Sequence, residues 1–229
     1  MAENEAKRAA AEAAVAEVGS EMLVGLGTGS TTAFAIAALG RRVAQGLRVT
    51  ATATSLATEV AARAAGIPLI AFDDCATADL AIDGADQIDP RFRAIKGGGG
   101  ALLREKIVAA AATRMICIVD PTKAVETLDR AVPIEVLPFA RSFVSAAIRS
   151  LCGDPAIRPA RKGDGPALSD QGNILIDCRF GPIADPQALA AELDAIPGLL
   201  GHGLFLTEID VLVIGRPNGA ERRERGVNL

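Results

Sequence analysis

Apolar residues recur at helical spacing over 3–18, among Glu and Arg, and Gly19 ends that stretch. A short apolar run over 22–26 then gives way to glycines and a second helical stretch over 31–39. Strand-like runs follow at 47–53, 67–72 and 80–83, with a helix over 56–65 that Ser55 opens and Gly66 closes. A helix over 101–112 and a fully apolar run at 115–119 complete this part. Buried strands alternating with helices predict a mostly parallel sheet covered on both faces. Near residue 131 the rhythm changes to strand 132–137, helix 140–151, strand 156–161, polar turn 162–172, strand 173–178, helix 186–196 and strand 199–207. That β-α-β-β-α-β order is the split unit of ferredoxin-like domains. The run at 211–214 then predicts a strand returning to the first sheet, before a charged tail over 216–229. The reading is α/β, with residues 1–130 and 208–229 in one domain and 131–207 inserted as a smaller ferredoxin-like α+β domain.

Composition narrows the function. The chain has 229 residues, half of hydrophobic type, enough for a principal core and a smaller appended domain. Seven Phe without Trp or Tyr, and a net charge of −4, argue against a base-stacking or phosphate-backbone surface, so no nucleic-acid partner is expected. Cys75, Cys117, Cys152 and Cys178 are far apart and include no C-x-x-C pair, which fits a reducing compartment and a buried structural Cys117. The single histidine, His202, sits between Gly201 and Gly203 at an expected turn and reads as structural, so no histidine metal site is expected. No apolar run reaches the roughly 18 residues of a membrane span, and the charged start from Met1 to Arg8 is not a signal peptide. A soluble, cytoplasmic protein without a membrane partner is the expectation.

Three clusters carry candidate chemistry. Gly25-Leu26-Gly27-Thr28-Gly29-Ser30-Thr31-Thr32 follows a strand and opens a helix, where free N–H groups and the helix dipole favour an anion. Ser30 occupies the place of the last glycine of a dinucleotide fingerprint, and no Gly-Lys-Ser/Thr completes a P-loop. A plain tight turn would also explain the glycines. Asp83-Gly84-Ala85-Asp86-Gln87 ends the strand over 80–83, at the carboxyl edge where ligands of α/β sheets sit. Its two carboxylates are able to meet sugar hydroxyls, or to form only a solvated acidic turn. Lys96-Gly97-Gly98-Gly99-Gly100 runs directly into a helix carrying Glu105 in its early turns, which is more than a hinge requires. An anion loop, a carboxylate pair and a lysine–glutamate set suit proton abstraction beside a carbonyl on a phosphorylated sugar, with no metal or cofactor needed.

These clusters, in this order and spacing, closely resemble the A-type family of ribose-5-phosphate isomerases. The likeness continues through Val119-Asp120-Pro121-Thr122-Lys123, Leu137-Pro138-Phe139-Ala140, Gly172-Asn173-Ile174-Leu175-Ile176-Asp177 and Ile196-Pro197-Gly198, nearly the whole chain. The resemblance implies aldose–ketose isomerisation between ribose 5-phosphate and ribulose 5-phosphate, in the pentose phosphate pathway, without a cofactor. It implies that Glu105 shuttles a proton between C1 and C2, that Asp83 and Lys96 position and polarise substrate oxygens, and that Asp86 and Thr28 assist ring opening. Gly29, Ser30, Thr31, Gly84, Ala85 and Lys123 would contact substrate, and Gly97, Gly98 and Gly99 would line the site through backbone N–H groups. A Rossmann-like domain with the ferredoxin-like insertion, assembled as a homodimer or homotetramer, is also implied. Gln87 departs from the Glu that the family usually carries after its D-G-A-D motif, so a changed supporting hydrogen bond or local charge is expected there.

Three other readings fit less well. An amino-sugar phosphate isomerase or deaminase would call for a histidine beside the carboxylates. A sugar-phosphate sensor would spare the binding loop but needs neither Lys96 nor Glu105. A nicotinamide-dependent dehydrogenase fails at Ser30.

Overall fold

The structure is a computed structural model that describes residues 2–161 and 163–226. Lys162, at the start of the expected polar turn, and 227–229 of the expected tail lie outside the described residues. In chain order the elements are α1 (Ala2–Ala16), β1 (Leu23–Leu26), α2 (Ser30–Ala44), β2 (Thr50–Ala53), α3 (Leu56–Ala64), β3 (Leu80–Asp83), β4 (Gln87–Ile88) and β5 (Ala94–Ile95). Next come α4 (Leu102–Ala111), β6 (Met115–Val119), β7 (Val132–Val136), α5 (Arg141–Ser150), β8 (Asp154–Ile157) and β9 (Ile174–Arg179). The chain closes with α6 (Pro186–Asp194), β10 (Leu199–His202), β11 (Leu204–Phe205), β12 (Val211–Arg216) and β13 (Gly219–Glu224).

Two compact units result, one from Met1–Ala85, Arg104–Ala124 and Thr207–Leu229, the other from Asp86–Leu103 and Val125–Leu206. The segment 86–103, which the hydrophobic pattern places with the first sheet, clusters with the second unit.

The first unit holds a six-stranded sheet in the order β13-β12-β6-β3-β1-β2. Its strands run parallel from β12 to β2, and β13 alone is antiparallel. Val24, Leu26, Ile82, Ile116, Ile118 and Val213 share one core, and Ala81, Met115, Cys117, Val119, Leu212 and Ile214 between or beside them are buried as well, which explains why these strands read as unbroken apolar runs. Helix α1 buries Ala6, Ala10, Ala11, Ala14 and Val15, a stripe at helical spacing. Ser55 caps α3 as expected, its hydroxyl accepting the Thr58 N–H.

The second unit holds β7 to β10 with α5 and α6 between them, in the sheet order β10-β7-β9-β8, antiparallel throughout. Val132, Ile134, Val136, Ile174 and Ile176 meet Val144, Ile148 and Leu193 in its core. A small three-stranded sheet, β11-β5-β4, belongs to the same unit.

The strand expected at 67–72 is a correction: only Leu69 bridges Ala51, and 72–74 form a short 3-10 turn. Pro68 lacks the N–H that a ladder at this position would use, although its carbonyl accepts from Ala51. The strand expected at 156–161 forms earlier, as β8, and the single strand expected at 199–207 splits at Gly203 into β10 and β11. Among the described residues no helix is long and apolar enough to cross a membrane.

Candidate active site

In the first unit, parallel strand β1 delivers Gly27 and Thr28 to the carboxyl edge of the sheet beside the end of β3. Asp83 closes β3 and is nearly buried. Its Oδ1 accepts the backbone N–H of Thr28 at 3.1 Å, that of Gly84 at 2.7 Å, and the Thr32 hydroxyl at 3.3 Å. A Cβ on Gly27 would fall 1.8 Å from the Asp83 Cγ, so only glycine lets the loop close on this carboxylate.

Beneath the same loop lies a hydroxyl cluster that sequence reasoning missed. Thr28 Oγ1 meets Thr54 Oγ1 at 3.0 Å, donates to Ser55 Oγ at 2.8 Å and meets Thr58 Oγ1 at 3.1 Å. Thr58 in turn donates to the Gly27 carbonyl at 2.7 Å. The signal was present as four hydroxyl residues within Thr52–Thr58, at the exit of β2. Its meaning depended on knowing that β2 pairs with β1.

Helix α2 begins at Ser30 with no side-chain cap, because Gly29 precedes it. The first-turn N–H groups of a helix have no intrahelical acceptor, so this end offers donors and positive potential to an anion. Gly29 and Ser30 are exposed and Thr31 is half-buried. Glu105 lies in the first turn of α4, only 4% exposed, where the helix dipole favours a carboxylate. Lys123 is half-buried in a 3-10 turn over Pro121–Lys123, capped by Asp120, whose Oδ1 accepts the N–H and hydroxyl of Thr122.

The second unit supplies Asp86, Lys96 and the glycine run. Asp86 Oδ2 accepts the Gly98 N–H at 2.8 Å, and the Asp86 N–H donates to Ile95. Lys96 is 2% exposed, with Nζ 5.2 Å from the centre of the Phe205 ring and its backbone N–H on the Gly203 carbonyl. At that distance the negative face of the ring attracts a cation. Residues 97–100 form a turn closed by the Gly100 N–H on the Gly97 carbonyl. Arg158, also missed from sequence, donates from Nη1 to the carbonyls of Gly97 and Gly98.

Gln87 turns away from chemistry. Its Nε2 donates to Asp129 Oδ1 at 2.6 Å, and its Oε1 accepts the N–H groups of Asp129 and Arg130. The expected supporting hydrogen bond is therefore an anchor for the segment entering β7. His202 lies buried at the end of β10 rather than in a turn. Its Nδ1 accepts the Leu204 N–H and its Nε2 faces Asp194 Oδ1 at 3.2 Å.

An uncapped helix terminus, the buried carboxylates of Asp83 at a strand end and Glu105 in a helix's first turn, and a buried lysine place the protein among α/β proteins equipped for acid–base chemistry on an anionic substrate. Similarity to known proteins narrows that class. The profile of the family described as Ribose 5-phosphate isomerase A (phosphoriboisomerase A) matches residues 50–219. A ribose-5-phosphate isomerase A of Sphingopyxis alaskensis is 51% identical over 221 residues, 96% of either chain. One of Methanosarcina acetivorans is 51% identical over 215 residues, 93% of this chain and 92% of that one. Among solved structures, a D-ribose-5-phosphate isomerase in complex with phospho-erythronic acid superposes with a TM-score of 0.94 at 36% identity, covering 98% of this chain and all of that one. The ribose 5-phosphate isomerase A of Methanocaldococcus jannaschii gives 0.92 at 35% identity, covering 96% of this chain and 98% of the other. The chain belongs to the ribose 5-phosphate isomerase A family.

Proposed function

We propose that the chain interconverts D-ribose 5-phosphate and D-ribulose 5-phosphate through an enediolate, as a step of the pentose phosphate pathway. The supporting observation is Glu105, a buried carboxylate in the first turn of α4, in a chain 51% identical to ribose-5-phosphate isomerase A over nearly its full length.

In this reading Glu105 removes the C2 proton of the open-chain aldose. The C–H electron pair becomes the C1–C2 double bond, and the carbonyl pair moves onto O1. Lys96 holds the enediolate charge and Asp83 fixes substrate hydroxyls. Glu105 then returns the proton to C1, while the O2 proton is lost and O1 gains one, which leaves the ketose. Asp86 and Thr28 assist ring opening. Gly29, Ser30, Thr31 and Lys123 take the phosphate, and Gly84, Ala85, Gly97, Gly98 and Gly99 complete the contacts with substrate. His202, with both ring nitrogens engaged by Leu204 and Asp194, speaks against the amino-sugar reading.

The first unit reads as Rossmann-like. The second reads as a ferredoxin-like insertion, on the strand order fourth-first-third-second of its β-α-β-β-α-β succession. Four cysteines outside any disulfide fit a cytoplasmic setting. Exposed Phe139 and Phe143 suit assembly as a homodimer or homotetramer, which sedimentation would test.

The direct experiment follows ribose 5-phosphate conversion in deuterated water with a chelator present, for the native chain and for Glu105→Gln. Native turnover with solvent deuterium in the product, and a loss of about 10²–10⁴-fold in the variant, are expected. Near-native turnover by Glu105→Gln would overturn the assignment.

A further inference from the structure

The proposed function needs backbone N–H groups of the Gly97–Gly99 turn to face substrate, and a run of glycines has no intrinsic preference for that orientation. The second unit supplies one through Arg158. Its Nε and Nη2 form a two-pronged pair with Asp177, at 2.9 and 2.5 Å, while Nη1 donates to the Gly97 carbonyl at 3.1 Å and the Gly98 carbonyl at 3.2 Å. Four N–H bonds in fixed directions hold one planar group. A lysine, a point charge on a flexible stem, cannot make both the fork and the two carbonyl bonds.

The consequence follows from peptide planarity. In a trans peptide the carbonyl of one residue and the N–H of the next point in opposite directions. With the Gly97 carbonyl on Arg158, the Gly98 N–H faces the other way, and Asp86 Oδ2 receives it. With the Gly98 carbonyl also on Arg158, the Gly99 N–H is likewise turned away from the guanidinium. Gly99 is exposed, and its N–H meets no acceptor among the described residues. A cation on the carbonyl also polarises that peptide and makes its N–H a stronger donor.

We propose that Arg158 and Asp177 form a positioning pair that locks the 98–99 peptide, so that the Gly99 N–H donates to an oxygen at the reacting end of the substrate. The reacting end is favoured over the phosphate because the turn begins at Lys96, the proposed enediolate partner. The uncapped start of α2 already suits the phosphate. This inference rests on the functional reading above. Arg158 touches no reacting atom and acts through the turn.

The test compares the native chain with Arg158→Lys, Asp177→Asn and the control Arg179→Ala, which breaks an exposed pair with Asp154 on the same sheet. Arg158→Lys should lower kcat about 10–100-fold, the scale of a misplaced oxyanion donor, with KM within about threefold. Phospho-erythronic acid, whose planar carboxylate resembles the enediolate oxygens, should inhibit it more weakly in parallel, while competition by inorganic phosphate stays constant. Asp177→Asn should show the same pattern more mildly, and Arg179→Ala should match the native chain. Native kinetic constants in Arg158→Lys, or a rise in KM with weakened phosphate competition alone, would overturn the proposal. So would a kcat loss that simply follows thermal unfolding. A native chain with no turnover would instead sink the functional reading, a result distinct from native-like variants of an active enzyme.

Discussion

The two glycine turns of this protein are held alike at their N–H groups and differently at their carbonyls. In the first unit, the carbonyl side of the turn at Gly27–Gly29 rests on a neutral hydroxyl, Thr58 on the Gly27 carbonyl, while Asp83 takes the Thr28 N–H. In the second, the turn at Gly97–Gly100 is held by charge, with Arg158 on two carbonyls and Asp86 on the Gly98 N–H. Both use one carboxylate of the same Asp83–Asp86 segment to receive an N–H. They differ in packing. Asp83 is nearly buried with three donors on one oxygen, whereas Asp86 is half-buried and accepts the Gly98 N–H at a turn open to solvent. A buried, multiply bonded carboxylate leaves its loop no room to adjust, while a carboxylate at an open turn can swing.

The sharpest way to break that contrast is to add one methyl group to each turn. In Gly27→Ala the new Cβ falls 1.8 Å from the Asp83 Cγ and 2.4 Å from its Cβ, so the loop or the end of β3 must move. The expected cost is about 1–3 kcal/mol, as for an overpacked core, with a loss of at least about 10²-fold in kcat/KM from displaced groups. In Gly98→Ala the Cβ falls 2.7 Å from Asp86 Oδ1, the far end of a side chain that can rotate. Its stability should change by less than about 1 kcal/mol and its kcat/KM by about tenfold. Denaturant unfolding and steady-state kinetics on both variants measure the difference; equal losses would show that the two turns are equally rigid.

What could be read in the sequence follows the same division. The two turns and the strand ends that carry them are local patterns, so Thr28, Asp83, Lys96 and Glu105 stand out at once. The groups that hold the turns do not, because Thr58 lies 31 residues from Gly27 and Arg158 lies 60 from Gly98. The pairing of β1 with β2 brings Thr58 to Gly27, and the pairing of β8 with β9 sets Arg158 beside the Asp177 that orients it. The edge strand β13 was invisible for another reason. Its Glu221, Arg222, Arg223 and Glu224 form ion pairs with Arg216, Glu17 and one another, so it shows no apolar alternation. Hydrogen bonds from Arg216 and Arg223 hold the Glu221 carboxyl below its ordinary range. Hydrophobic periodicity finds what is buried, and this strand is mostly not.

A smaller effect is expected at Gln87, the residue after Asp86, which anchors the segment entering β7. Replacing it with Glu keeps the oxygen that accepts the Asp129 and Arg130 N–H groups, but sets a carboxylate against Asp129 Oδ1, where a 2.6 Å hydrogen bond now stands. Gln87→Glu should therefore destabilise by about 1–3 kcal/mol at neutral pH, the penalty for a lost buried partner. Two carboxylates at this separation retain a proton more tightly folded than unfolded. Raised folded affinity for a proton means the loss is least below the ordinary carboxylate range and grows as pH rises through the folded value. Unfolding measured across acid to neutral pH tests this; a pH-independent difference would show that Asp129 swings away.

The finest probe uses the cysteines, since each unit holds one accessible and one buried thiol. Cys75 is half-buried and Cys152 exposed, whereas Cys117 in β6 and Cys178 in β9 are fully buried. Burial, with Asp177 and then Asp154 adding to it, pushes the Cys178 thiol up from 9.0 to about 12. A raised value means that its contribution to stability is fully present below about pH 9 and fades as pH approaches 12. Near pH 8 the folded chain should thus react quickly at Cys75 and Cys152, while Cys117 reports opening of the first unit and Cys178 opening of the second. Gly27→Ala should speed labelling of Cys117 with little change at Cys178, and Arg158→Lys should do the reverse, because Asp177 lies beside Cys178 in β9. Site-resolved labelling by mass spectrometry measures both rates. If the two buried thiols respond together to either substitution, the units open as one, and the different restraints on the two turns tune local geometry without dividing the chain into separately stable parts.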